Sequence, residues 1–150
     1  MVSAFLSLRY IAWVADQDAY ACSGQKCSAQ SICFIHENWM RRHPSGRKHM
    51  DSMGGSRGGD IAGENLVDRM AELASHRKLS DLSIGPVLSH STPEIQAHMD
   101  RLLSIDGAYL AFGGNELEGH SAPPQYGMME PTAVFVPLEE LLSEEHFEVR

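Results

Sequence analysis

From about Tyr10 to Cys22 apolar residues recur at three- and four-residue steps, on Ile11, Val14, Ala15 and Cys22. That period predicts an amphipathic helix. Gly24 follows where helices commonly stop, because glycine takes the left-handed conformation cheaply. Gln25 to Gln30 has room for one new helical turn. Ser31-Ile32-Cys33-Phe34-Ile35 reads as a short buried strand. His36-Glu37-Asn38-Trp39 then opens another helix, with His36 a surface histidine at the strand end. Glu64 to Lys78 predicts a helix with an apolar stripe on Leu66, Met70, Leu73 and Ala74. Glu64 at its start and Arg77-Lys78 at its end suit the helix dipole.

Ile84-Gly85-Pro86-Val87 predicts a turn. The next helix has the clearest signals. Thr92 caps it, Pro93 takes the first position and Glu94 adds negative charge to the first turn. Ile95, Met99, Leu102 and Leu103 share its face, and Asp106-Gly107 ends it. Ala108 to Phe112 predicts a strand closed by Gly113-Gly114. Pro123-Pro124 is loop, Thr132 to Val136 a third strand, and Leu138 to Leu142 a helical or turn segment. Alternation of helices and strands argues for an α/β layer structure. Internal repeats are absent, and Met1 to Leu8 is left unassigned.

Arg41 to Gly63 breaks the pattern. It holds six glycines and the cations Arg41, Arg42, Arg47, Lys48 and Arg57, with no hydrophobic period. It reads as a flexible insertion within the single domain. Its glycines match neither the dinucleotide fingerprint nor the P-loop.

At 150 residues the chain can bury one core. It is 43% hydrophobic and 21% charged, ordinary for a soluble protein. A net charge of −8 gives no case for nucleic acid as a partner. No transmembrane span is evident. The start lacks a basic region and a cleavage site, and its apolar run breaks at Arg9, so no signal peptide is expected.

The cysteines change the picture more. There are three, at positions 22, 27 and 33. An odd number crowded into one segment argues against a disulfide framework and for a reducing compartment. The spacings do not suit zinc, and no metal is expected. Cys27 would lie near a helix N-terminus, beside Lys26. Both features favour thiolate over thiol. The residues alone leave two readings open: a nucleophile, or a buried structural cysteine.

The string Asp16-Gln17-Asp18-Ala19-Tyr20-Ala21-Cys22-Ser23-Gly24-Gln25-Lys26-Cys27-Ser28-Ala29-Gln30-Ser31 bears on that choice. Its G-Q-x-C core resembles the catalytic-cysteine segment of the aldehyde dehydrogenase superfamily. The fuller string resembles the Δ1-pyrroline-5-carboxylate dehydrogenase branch, plant and algal type. His36-Glu37-Asn38-Trp39, Arg77-Lys78-Leu79, Ile84 to Leu88 and Glu130 to Pro137 agree with it. Met1 to Leu8 and Arg41 to Gly63 fall outside the likeness.

The resemblance implies a fold: a partial aldehyde dehydrogenase catalytic domain, α/β, with a helix–cysteine loop–strand unit and a layered sheet. It also implies a reaction. A cysteine thiolate attacks the aldehyde carbon of glutamate 5-semialdehyde, hydride passes to NAD, and water hydrolyses the thioester to glutamate, in proline catabolism. Carried onto this chain, Cys27 is the nucleophile and its backbone N–H one oxyanion donor. Lys26 and Ser28 flank it as candidate substrate-binding residues. Gln25 and Gly24 shape the turn. The implied compartment is the mitochondrion, and family members are homo-oligomers.

The departures set the expectation for this polypeptide. Family chains are several times longer. Their nucleotide-binding domain, general-base glutamate, oxyanion asparagine and substrate-carboxylate loop have no counterpart here. Glu130-Pro131 does not continue into the family's cofactor-contacting E-x-F-G-P segment. The expectation is a chain that carries the nucleophile and, alone, has no NAD-linked turnover. The alternatives are a truncated non-catalytic product and a stand-alone thiol esterase or redox protein using Cys27.

Overall fold

The computed structural model describes residues 8–41 and 65–143. Almost all of the Arg41–Gly63 insertion, and Met1 to Ser7, lie outside the described residues.

Helix α1 spans Leu8–Tyr20 and buries Leu8, Ala12, Ala15 and Asp16. These fall at i, i+4, i+7 and i+8, one face of a helix. The expected face was turned relative to this one. Ile11 and Ala15 do reach the core, but Val14 is half-buried and Cys22 is exposed. The face shifts because it includes a carboxylate, Asp16, which a count of apolar residues leaves out. Ala12, wholly buried, and Ala15 present little bulk, so α1 can pack closely on α3, Leu66–Ser75.

Helix α3 buries Leu66, Met70 and Ala74, as its stripe predicts. Asn65 caps it: its Oδ1 accepts the Asp68 N–H at 2.8 Å. The helix ends at Ser75, so Arg77 and Lys78 lie beyond it rather than in its last turn. Ala12, Ala15, Leu66 and Met70 form the centre of the core, packed by Ile11, Ile35, Trp39, Leu73 and Phe112.

The expected strand at Ser31–Ile35 does not form. Ile32 is 45% and Phe34 71% exposed, and no ladder partner pairs with them among the described residues. A short apolar run becomes a strand only where another strand's edge is free to pair, and that is a non-local condition. Ile35 alone turns inward. The short helix α2, Glu37–Met40, follows as expected. His36 is its N-cap, with Nδ1 accepting the Asn38 N–H at 3.2 Å.

Helix α4 spans Thr92–Leu103, with Pro93 in its first turn. Its cap is Ser91, one residue before the predicted Thr92. The Ser91 N–H and hydroxyl both donate to Glu94 Oε2 at 2.7 Å. Those bonds, the N–H foremost, hold the Glu94 carboxyl below the ordinary range. Thr92 is buried instead, and its Oγ1 accepts the Met128 N–H at 2.9 Å. Ile95, Met99, Leu102 and Leu103 are half-buried, and α4 packs on strand β2.

Strands β1, Tyr109–Phe112, and β2, Ala133–Phe135, pair antiparallel with Tyr109 opposite Phe135 and Leu110 opposite Val134. An irregularity between Leu110 and Phe112 shifts the register, so that Phe112 faces Ala133. Gly113 has φ +75°, and a Cβ there would meet the Pro131 carbonyl oxygen at 2.2 Å. Only glycine lets the chain leave β1 this close to the segment entering β2. The four-residue helix α5, Leu138–Leu141, follows β2. The architecture is mixed helix and sheet, as expected, with a sheet of two strands among the described residues. No helix among them is long and apolar enough to cross a membrane.

Candidate functional site

Beyond Tyr20 the chain enters a tight turn, Ala21–Gly24. Cys22, Ser23 and Gly24 hold φ of 56°, 55° and 71°. Gly24 behaves as its position predicts. The two L-residues before it were not expected to share its conformation, which costs about 1–2 kcal/mol for each. Strain of this kind persists only where the surroundings over-determine it.

Here they do. Ser23 Oγ donates to the Gly85 carbonyl and accepts the Gly85 N–H, both at 2.9 Å. Gln25 Nε2 donates to the Pro86 carbonyl at 2.9 Å, and Gln25 Oε1 accepts the Leu88 N–H at 2.8 Å. The Gln25 N–H closes the turn on the Cys22 carbonyl at 3.2 Å. Ser23 and Gln25 thus fasten the segment before Cys27 to the Ile84–Leu88 loop.

The expected helical turn over Gln25–Gln30 is absent. In its place a single turn joins the Ala29 N–H to the Lys26 carbonyl at 3.0 Å, with Cys27 and Ser28 at its tip. Cys27 therefore does not sit at a helix N-terminus. Its turn is tied instead to the C-terminal turn of α1, whose last carbonyls lack partners within the helix. Lys26 Nζ donates to the Gln17 carbonyl at 2.9 Å, and the Gln30 N–H to that of Asp18 at 3.1 Å. A cation at this end also suits the dipole. The Lys26 ammonium is thus committed to α1.

All three cysteines are exposed and unpaired, so none is a buried structural cysteine. Ser28 is exposed. Among the described residues no acceptor takes the Cys27 N–H, and no group of three or more His, Cys, Asp or Glu could hold a metal ion.

Beneath the turn lies a polar network that the hydrophobic pattern did not signal. Asp16, 3% exposed, takes Arg77 Nε at 3.1 Å on Oδ1 and Nη2 at 2.5 Å on Oδ2. Arg77 Nη1 also donates to the Ser83 carbonyl at 3.2 Å, tying the pair to the start of the Ile84–Leu88 loop. Tyr20 donates its O–H to the Thr132 carbonyl at 3.0 Å and meets Phe112 edge-on. Burial pushes the Tyr20 phenol well above its ordinary range; Asp16 adds to this and Arg77 opposes it. A signal for the pair was present in the sequence only as two charges, 61 positions apart.

A cleft of about 210 Å³ opens beside Arg77, walled by Ala74, Phe112, Gly113, Leu117 and Glu130. Cys27 does not line it. Nor do the described residues fit a dinucleotide. Gly113-Gly114 follows a strand, but leads into the Glu116–Met129 bridge rather than a helix N-terminus.

No protein-family model matches the chain. A probable aldehyde dehydrogenase of Linum usitatissimum is 49% identical over 140 residues, 93% of this chain and 21% of that protein. The mitochondrial Delta-1-pyrroline-5-carboxylate dehydrogenase 12A1 of Arabidopsis thaliana is 50% identical over 135 residues, 90% of this chain and 20% of that protein. The chain thus spans about a fifth of the length of the curated relatives it matches. Along nine-tenths of its length, the chain is related to one segment of the aldehyde dehydrogenases.

Proposed function

We propose that this chain supplies the nucleophile segment of an aldehyde-oxidising enzyme, with Cys27 as the attacking thiol. The observation that carries the reading is an exposed thiol at the tip of a turn that is fastened to two parts of the molecule. Ser23 and Gln25 hold it on one side, Lys26 and Gln30 on the other. A nucleophile needs exposure and a fixed approach direction together. Cys22 and Cys33 share the exposure, but neither lies at this tip.

The chemistry follows from the atoms present. Cys27 Sγ, as thiolate, adds to the aldehyde carbon, and the carbonyl oxygen becomes an oxyanion. The Cys27 N–H, which no acceptor occupies among the described residues, is available to it. Removing one such donor costs about 2.7–4 kcal/mol in the oxyanion-hole precedent. Oxidation of the adduct needs a hydride acceptor. The relatives suggest a nicotinamide dinucleotide, the role assigned here to NAD. The described residues do not fit that group.

By likeness to the relative named for it, the proposed substrate is glutamate 5-semialdehyde, in the open form of pyrroline-5-carboxylate, with glutamate as the product. The proposed compartment is mitochondrial, as in that relative's name, and the proposed assembly a homo-oligomer. We place the chain in the layered catalytic domain of such an enzyme. Lys26 and Ser28 are proposed to line the approach to Cys27, Lys26 through its stem since its ammonium is engaged on Gln17. Acyl transfer by Cys27 alone is a second reading, favoured because ester hydrolysis needs the thiol and the oxyanion donor but no hydride acceptor.

The test is competition among the three cysteines for iodoacetamide near neutral pH, resolved by peptide mass spectrometry. Cys27 is expected to react first. Equal labelling of Cys22, Cys27 and Cys33 sinks the nucleophile reading. Hydrolysis of an activated ester that disappears in Cys27→Ser would support the second reading. Semialdehyde-dependent NAD reduction by the 150-residue chain itself would overturn the expectation that it lacks turnover.

A further inference from the structure

Ser23 is the one non-glycine residue that both adopts left-handed backbone beside the Cys27 turn and anchors that turn through its own side chain. Its φ is 55°, and its hydroxyl exchanges two hydrogen bonds with the Gly85 backbone at 2.9 Å. Glycine would suit this backbone better, so what serine adds is the hydroxyl. We infer that Ser23 is a positioning residue for the Cys27 thiol, acting by clamping the left-handed turn to a fixed loop. The inference rests on the reading of Cys27 as the nucleophile.

The loop qualifies as a fixed platform because it is held independently of Ser23. Arg77 Nη1 ties the Ser83 carbonyl at its start. Val87 and Gly127 exchange both backbone hydrogen bonds, at 2.8 and 2.9 Å, near its end. Ile84, within it, is 5% exposed. The residue that grips Gly85 is therefore gripping a part of the molecule that does not depend on the cysteine turn.

From that grip the geometry runs outward in four residues. Ser23 sets the left-handed turn, Gln25 closes it on Cys22, and Lys26 opens the turn that carries Cys27. On the far side the Gln30 N–H fixes the exit to Asp18. Without the Ser23 hydroxyl, Cys22 and Ser23 have less reason to hold a conformation that L-residues disfavour. The direction of the Cys27 thiol then loses its reference. Displacement of a reacting group by about 1 Å can cost around a hundredfold in rate, and a loosened turn should cost about tenfold.

The experiment measures iodoacetamide alkylation of Cys27 relative to Cys33 in the full 150-residue chain, across a pH series. Cys33 serves as the internal reference, because Cys22 shares the strained turn. Ser23→Gly keeps a backbone suited to this φ and removes the hydroxymethyl group, and with it both bonds to Gly85. It is expected to lower the Cys27-to-Cys33 rate ratio about tenfold and to alter the pH profile of Cys27, with the circular dichroism unchanged. Ser23→Asn also tolerates left-handed backbone and keeps a donor and an acceptor; its ratio should fall between those of serine and glycine.

A merely structural role would shift the melting temperature and leave the ratio and the profile alone. An unchanged ratio in Ser23→Gly, while the unaltered chain still favours Cys27, overturns the positioning role and leaves the nucleophile reading intact. So does an Asn variant slower than the Gly variant. If the unaltered chain shows no preference for Cys27 over Cys33, the nucleophile reading fails, and this inference fails with it.

Discussion

Tyr20 shows how one residue can matter through its proton alone. Its phenol is largely buried, and its O–H is engaged on the Thr132 carbonyl. An unfolded tyrosine ionises near pH 10, and the folded one only at higher pH. The folded state therefore keeps a proton that the unfolded state releases. Stability from this group is complete below about pH 10 and is lost as pH rises further. Melting temperatures measured on either side of about pH 10 should fall more steeply in the unaltered chain than in Tyr20→Phe. At neutral pH the same variant should cost about 1 kcal/mol, for the lost hydrogen bond. Parallel slopes would show that Tyr20 is not the titrating group. The sequence could not reveal this, because nothing local to Tyr20 marks it as buried. Thr132, whose carbonyl accepts its hydrogen bond, is 112 positions away. The turn before Cys27 was legible in a different sense. Gly24 and Gln25 identified it, but the expected helix N-terminus beside Cys27 did not form.

Elements divide by whether their signals are local. Helix α4 was placed from Pro93, Glu94 and its apolar face; the structure moves its cap from Thr92 to Ser91 and ends it at Leu103, before the expected Asp106-Gly107. Strands β1 and β2 and helix α3 lie inside the predicted stretches. The segment Ser31–Ile35 was misread because Ile32, Phe34 and Ile35 favour β-structure but carry no information about a partner edge. That difference can be measured. In a buried strand, truncating Phe34 would cost about 3–5 kcal/mol. At 71% exposure, Phe34→Ser should change urea-unfolding stability by no more than about 0.5 kcal/mol. A loss of several kcal/mol would mean that this segment is packed after all.

At the scale of the whole molecule, Arg77 joins parts that are distant in sequence. It neutralises Asp16 on α1, follows the end of α3, and holds Ser83 at the start of the loop that Ser23 and Gln25 grip. Removing it strands a buried carboxylate. Arg77→Met should therefore destabilise the chain by about 3–5 kcal/mol in urea unfolding. Asp16→Leu with Arg77→Met should recover much of that loss, since no unpaired charge is left behind. If the double variant is no more stable than Arg77→Met, the pair's charge is not what Arg77 contributes. The sequence by itself determined the helices with caps and periods, the two strands that pair, the glycine turn before Cys27, and the likeness to aldehyde dehydrogenases. Those features rest on neighbouring residues, whose spacing fixes which face they share. Only the tertiary structure decided that Asp16 is buried on Arg77, that Ser31–Ile35 finds no strand partner among the described residues, and that Cys22 and Ser23 hold left-handed backbone against Gly85. Each depends on what the packing of distant segments, such as α1 on α3, brings close or leaves apart, and no local spacing encodes that.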